Sequence, residues 1–224
     1  MGKTRFEALV FDAYGTLFDV HSVATQCELI WPGKGAAVSQ LWRAKQLEYT
    51  WQRSLMRRYE DFNKVTRDSL HYVCAAMKID RSGQQFAWLM DEYLRLAMFP
   101  GAAQALRDLA PRKLAILSNG SPAMLEPMIR HAGIAGAFAA VLSVDSVKVY
   151  KPDPRVYQLA VDALGVPAAN IGFVSSNCWD ACGAKAFGFP TFWINRGGAP
   201  VDGLGAAPDF ILSNLGELPE AVAA

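Results

Sequence analysis

The sequence predicts an α/β fold: a Rossmann-like, mostly parallel sheet core with one inserted helical cap domain. Two patterns carry this. Short runs of strand formers open the chain and recur through its second half, where they alternate with helical patterns. Between the first run and the next lies a long stretch, Val20 to Leu96, with helical periodicity and no evident strand. The expected division is a core of residues 1–19 and 98–224 and a helical cap of residues 20–97.

The first strand is read in Phe6-Glu7-Ala8-Leu9-Val10-Phe11, a run apolar enough to be buried on both faces. Asp12 stands where that strand should stop, and Gly15 breaks the pattern. In an open α/β sheet the carboxyl ends of the strands form the crevice where ligands bind. An acid placed there suits a nucleophile, a base or a metal ligand, and also a simple turn cap. The rest of the chain must decide.

Three helical patterns are read in the insertion, separated by breaks at Gly33-Lys34-Gly35, Glu60-Asp61 and Asp80-Arg81-Ser82-Gly83. The segment Ala36 to Arg57 carries two apolar stripes, one through Ala37, Leu41, Ala44, Trp51 and Leu55, the other through Val38, Trp42, Tyr49 and Met56. A helix apolar over so much of its circumference is expected to be covered from two sides, by its own domain and by a second copy. The protein is therefore expected to be a homodimer through its cap helices. Phe62, Val65, Leu70, Val73 and Met77 give the second pattern a single apolar face, and Phe86, Leu89, Met90, Tyr93 and Leu96 give the third.

Strands and helices alternate after Phe99-Pro100-Gly101. Lys113 to Leu117 reads as a strand with Ser118-Asn119-Gly120 as its turn, and Ser121-Pro122 as an N-cap followed by a first-turn proline. Val141 to Val144 is the next strand; Asp153-Pro154 again caps a helix, which closes at Gly165. Ile171 to Val174 leads into Ser175-Ser176-Asn177 and a helix, and Thr191 to Ile194 and Asp209 to Leu212 complete the sheet. Gly197 to Pro208 reads as a surface loop.

Composition excludes several classes. Hydrophobic residues at 52% and charged residues at 19% fit a globular protein, and a net charge of +1 gives no reason to expect nucleic acid or a membrane surface as a partner. Met1-Gly2-Lys3-Thr4-Arg5 lacks a signal peptide's apolar stretch, and no apolar run approaches the roughly 20 residues of a spanning helix. A soluble, cytoplasmic protein is expected. Cys27, Cys74, Cys178 and Cys182 lack paired metal spacing, and His21, His71 and His131 share none, so both sets read as structural.

Polar residues follow each strand on one edge of the expected sheet: Asp12, then Ser118 and Asn119, then Lys151, then Ser175, Asn177 and Asp180. Singly, a serine in such a turn is a helix cap. Lys151, in a rigid turn before Pro152, is more telling, because a lysine beside carboxylates holds Asp12 ionised and receives a substrate anion.

Asp12-Ala13-Tyr14-Gly15-Thr16, Ser118-Asn119-Gly120, Lys151-Pro152 and Ser175-Ser176-Asn177-Cys178-Trp179-Asp180, in that order and with a helical insertion after the first, resemble the haloacid dehalogenase superfamily. With Leu41-Trp42-Arg43 in the insertion, the pattern is similar to that of the L-2-haloacid dehalogenases. Two departures from the superfamily's phosphatases agree with this. The position of the acid that protonates a departing alkoxide is Tyr14, and halide leaves without a proton. The first of the acids that hold Mg²⁺ has become Ser176, leaving too few carboxylates for a hard cation.

The resemblance implies hydrolytic dehalogenation of L-2-haloalkanoic acids to D-2-hydroxyalkanoic acids through an ester on Asp12, with no cofactor and no metal. It implies that Thr16, Ser118 and Lys151 position nucleophile and substrate carboxylate. Ser175, Asn177 and Asp180 would orient Asp12, Lys151 and the hydrolytic water, with Tyr157 in support. Arg43, on helix position alone an ordinary surface arginine, is expected to receive the halide, helped by Asn119. Tyr14, Leu47, Phe62 and Trp179 are expected around the alkyl chain. The rivals are a Mg²⁺-dependent phosphatase or phosphonate-processing hydrolase of the same superfamily and a catalytically silent binding protein.

Overall fold

The structure, a computed structural model, describes residues 6–223, so the reading of the first five residues lies outside it. Six strands form one sheet: β1 (Ala8–Phe11), β2 (Lys113–Ser118), β3 (Ala140–Ser143), β4 (Ile171–Ser175), β5 (Thr191–Ile194) and β6 (Phe210–Leu212), in the order β3-β2-β1-β4-β5-β6. Every neighbouring pair is parallel. Central β1 is buried at every position, as its unbroken apolar run requires. Its carboxyl end therefore lies between the ends of β2 and β4, where the sheet order turns back and ligands gather.

Nine α-helices are described: α1 (Ala24–Ile30), α2 (Gly35–Leu55), α3 (Phe62–Ala76), α4 (Gly83–Glu92), α5 (Ala102–Asp108), α6 (Pro122–His131), α7 (Pro154–Leu164), α8 (Cys178–Phe187) and α9 (Leu218–Ala221). The first four form the insertion and pack mainly on one another. The chain leaves and re-enters the core side by side: Asp19 N–H donates to Ala97 O at 2.8 Å and Phe99 N–H to Leu17 O at 3.0 Å.

Several readings of the sequence need correction. Helix α1 was not among the three expected patterns, because only Cys27 of its seven residues is buried and no apolar stripe marks it. The third pattern ends at Glu92 rather than Leu96; Tyr93 and Leu96 are buried in the irregular segment that follows and continue the spacing without the helix. Strand β3 starts at Ala140, and Val144 opens a short 3-10 turn. Asp153 caps α7 as expected, accepting from Arg155 N–H at 3.0 Å, and Gly165 closes it at a left-handed φ of 63°. Ser121, by contrast, makes no side-chain cap on α6, and its Oγ is buried without a hydrogen-bond partner.

The two faces of α2 divide differently from the apolar stripes. Val38 and Trp42 are buried, while Leu55 and Met56 stand 85% and 61% exposed. A polar row, Ser39, Arg43, Gln46 and Thr50, is buried as deeply as the apolar one. Of that row, Arg43 reaches the carboxyl edge of the sheet, its Nη2 donating to Tyr14 O at 3.3 Å.

Candidate active site

Asp12 leaves β1 nearly buried, and its backbone N–H still bonds Val174 O of β4 at 2.9 Å. Three side chains donate to its carboxylate. Lys151 Nζ lies 3.1 Å from Oδ1; Thr16 Oγ1 at 3.1 Å and Asn177 Nδ2 at 2.9 Å meet Oδ2. Each comes from a different turn: Thr16 from the loop after β1, Lys151 from the loop before α7, Asn177 from the turn after β4. Gly15, at φ 90°, lets the first loop double back, so that Asn177 Nδ2 also reaches Tyr14 O at 3.2 Å.

Lys151 is fully buried between two acids, its Nζ also 2.9 Å from Asp180 Oδ2. Burial alone would push its ammonium pKa down, but Asp12 and Asp180 together hold it above the ordinary lysine value. Asp180 is raised to about 6: burial drives it up, Lys151 pulls it back, and Asp12 pushes it up again. Tyr157 donates to Asp180 Oδ1 at 2.9 Å; burial and then Asp180 push its phenol well up, so it stays a donor. Gly183 makes room for this contact, since a Cβ there would lie 2.7 Å from the Tyr157 hydroxyl.

The remaining predicted residues fall in three places. Ser118 and Ser175 brace their own turns, accepting from Gly120 N–H at 3.0 Å and Asn177 N–H at 3.1 Å, while Asn119 Oδ1 accepts from Lys151 N–H at 3.1 Å. Arg43, Tyr14 and Phe62 make the wall opposite: the Tyr14 and Phe62 rings lie 5.2 Å apart, and Tyr14 OH is buried without a partner. Burial holds the Arg43 guanidinium below its usual pKa and the Tyr14 phenol above its own. Leu47 is half-buried on α2. Trp179 lies farther out, edge-on to Trp51 at 5.4 Å in a cleft of about 580 Å³ shared with Pro152 and Leu204.

Two residues of the site were not foreseen. Gln46 accepts from Arg43 Nη1 at 2.8 Å and donates to Thr66 Oγ1 at 2.6 Å, fixing the guanidinium from behind. Its place three residues after Arg43 on one helix was the available signal. Arg196, just beyond β5, donates to Gly15 O, Thr16 O and Ser176 Oγ at 3.0, 2.9 and 2.7 Å. It precedes the expected surface loop, and nothing local in the sequence marks it.

A family model described as haloacid dehalogenase-like hydrolase matches residues 6–188. The chain belongs to the haloacid dehalogenase-like hydrolases. It is 51% identical to the (S)-2-haloacid dehalogenase of Pseudomonas sp. (strain YL), over 93% of this chain and 91% of that one. Haloacetate dehalogenase H-2 of Moraxella sp. (strain B) is 49% identical over 92% of this chain and 93% of its own. The solved L-2-haloacid dehalogenase of Xanthobacter autotrophicus with chloropropionic acid covalently bound superposes with a TM-score of 0.91 at 44% identity, covering 97% and 98% of the two chains.

A divalent cation, which many haloacid dehalogenase-like hydrolases use beside the nucleophile, does not fit the donors here. Asp12 and Asp180 both face the Lys151 ammonium, and the Ser176 hydroxyl is taken by Arg196. No group of three acidic, cysteine or histidine side chains placed to hold a metal occurs among the described residues.

The site charges give a pH expectation. Protonation of Asp180 leaves Lys151 with one acidic partner, so kcat/KM should fall below an acid limb centred near pH 6. The same group weakens folding in that range. Its folded pKa of about 6 exceeds the ordinary 3.8, so its stabilising contribution is full below 3.8 and lost as pH rises through 6. Activity and stability should therefore move in opposite directions as this group titrates, measured by initial rates and by denaturant unfolding across the same buffers; an activity profile flat to about pH 5 would contradict the assignment.

Proposed function

We propose that this chain hydrolyses L-2-haloalkanoic acids to D-2-hydroxyalkanoic acids and halide through an ester on Asp12. The observation that carries the reading is the uneven solvation of one carboxylate. Oδ2 receives Thr16 and Asn177, whereas Oδ1 receives Lys151 alone and keeps a lone pair for attack. Oδ1 displaces halide from C2 with inversion, and the C–halogen electron pair leaves with the halide. Oδ2 becomes the ester carbonyl oxygen, already held by two donors of the kind that stabilise an oxyanion. Water then adds to Asp12 Cγ and gives up a proton, the Cγ–Oδ1 bond breaks, and Oδ1 takes up a proton and leaves on C2 as the product hydroxyl. The C2–Oδ1 bond is thus never broken, and the water oxygen remains on Asp12.

Lys151 and Ser118 are assigned to the substrate carboxylate, and Arg43 with Asn119 to the halide. Tyr14, Leu47 and Phe62 border the alkyl chain, with Trp179 at its outer end. Asp180, Tyr157 and Ser175 keep Lys151, Asn177 and the attacking water in place. The covalently bound chloropropionic acid in the Xanthobacter enzyme supports the ester route. Against a Mg²⁺-dependent phosphatase stand Tyr14 and the Ser176–Arg196 contact. Purified protein should release chloride from L-2-chloropropionate, leave the D-enantiomer untouched and keep its rate in excess EDTA. Loss of activity with EDTA would favour the phosphatase, and no halide release would overturn the reading.

The same reading extends to organisation. We divide the chain into a core of residues 1–19 and 98–224 and a cap of residues 20–97, joined by the paired crossings at Asp19–Ala97 and Leu17–Phe99. Exposed Leu55, Met56 and Tyr72 on neighbouring cap helices support a homodimer through this face. Light scattering at micromolar concentration should give twice the chain mass, and a strict monomer would remove the dimer. Free thiols at all four cysteines fit a cytoplasmic setting, and no helix among the described residues is long and apolar enough to cross a membrane.

A further inference from the structure

We propose that Arg196 is a positioning residue that locks the nucleophile loop, the turn after β4 and the segment returning from the insertion into one unit. This rests on the reading of Asp12 as nucleophile. Arg196 does not touch the Asp12 carboxylate, so its action must pass through the residues it holds.

The geometry is specific to a guanidinium. Nη1 donates to Gly15 O at 3.0 Å and Ser176 Oγ at 2.7 Å, and Nη2 donates to Thr16 O at 2.9 Å. The guanidinium carbon also sits 3.6 Å from the centroid of the Phe99 ring. A planar fork with five donors meets three acceptors and an aromatic face at once; a lysine ammonium on a flexible stem does not. Arg196 thus joins all three segments.

Each segment matters to Asp12. Thr16, whose carbonyl Arg196 fixes, donates its hydroxyl to Asp12 Oδ2 and accepts from Ser176 N–H at 2.8 Å. Ser176, whose hydroxyl Arg196 fixes, lies between Ser175 and Asn177, and Asn177 is the second donor to Oδ2. Phe99 is bonded through its N–H to Leu17 O, where the chain re-enters the core. Without Arg196, two backbone carbonyls and a hydroxyl lose their shared partner, and the two donors to Oδ2 keep only the Ser176 N–H to Thr16 Oγ1 bond and the Asn177 Nδ2 to Tyr14 O bond to set their separation. Misplacement of about 1 Å at a reacting group costs about 100-fold in rate.

The test compares the wild-type chain with Arg196→Ala and Arg196→Lys by halide release from L-2-chloropropionate and by hydrogen exchange. Arg196→Ala should lower kcat by about 10- to 100-fold with KM little changed, because the substrate carboxylate is met elsewhere. Arg196→Lys should recover little, and it carries the test should the alanine variant fail to fold. Millimolar guanidinium should restore part of the alanine variant's kcat, with sodium chloride at equal ionic strength inert. Amide exchange should quicken in residues 12–18 and 97–101 of both variants. Near-normal kcat in a folded variant, or unchanged exchange in both segments, overturns the proposal. Absence of halide release from the wild type would instead overturn the reaction, and the exchange arm would still judge Arg196.

Discussion

Asp12→Asn should fold and release no halide above background, a loss on the order of 10⁴-fold or more. An amide at this position lacks the anionic oxygen that attacks C2, and no second carboxylate takes its place. Asp180 is fully buried behind Lys151 and occupied by Lys151 and Tyr157. The wild type supplies the matching positive result. With enzyme in excess over L-2-chloropropionate in H₂¹⁸O, the solvent oxygen should appear in the peptide bearing Asp12, about 2 Da heavier, and not in the first product formed. Label in the product alone would mean that water attacks C2 directly and that Asp12 acts as a base. Residual turnover by Asp12→Asn within tenfold of wild type would remove the residue from the chemistry.

Arg43→Ala should lower kcat by about 10²- to 10³-fold, the size of effect seen when one preorganised donor to a developing anion is removed. Arg43 is held from two sides, by Gln46 at 2.8 Å and by Tyr14 O at 3.3 Å, so in the role proposed for it the guanidinium would need no reorganisation to meet a departing halide. Its burial lowers its pKa and makes it poorly hydrated, which favours a large, soft anion as its partner. The cost in folding should be small by comparison. Gln46 loses a donor and retains Thr66, and one unpaired buried acceptor costs about 1–3 kcal/mol. Thermal unfolding together with steady-state kinetics separates the two effects: a large fall in kcat with a shift of a few degrees supports the assignment, and near-normal kcat refutes it.

The fold was legible where chain chemistry is local. An apolar run ending in Asp12, proline after Ser121 and Asp153, and glycine at 165 mark strand ends and helix ends without knowledge of the tertiary structure. The strand-end residues were legible for the same reason: a parallel sheet sends every strand terminus to one edge, so Asp12, Ser118, Lys151 and Asn177 had to converge. What escaped was set by distant parts of the chain. Helix α1 is too exposed to carry an apolar stripe, and Arg196 lies 180 residues from one of the carbonyls it binds. Ser121 misled because a serine before proline has the sequence of a cap whether or not its hydroxyl turns toward the helix. The polar row on α2 was obscured by the bulkier apolar residues beside it, although Gln46 and Thr50 continue the spacing begun by Ser39 and Arg43.

The burial of Lys151 and Arg43 among Asp12 and Asp180 sets two formal cations against two formal anions, so the four side chains carry no formal surplus of charge. A 2-haloacid arriving as its carboxylate brings the total to minus one, and that surplus is what the halide carries away. The alkylated aspartate has then lost its charge, and the carboxylate of the tethered acid restores the balance. An uncharged haloalkane or haloamide would instead strand an unmatched cation beside the ester, in surroundings that shield charge poorly. The charge balance of these four side chains, the nucleophile among them, should thus favour acids over their neutral analogues.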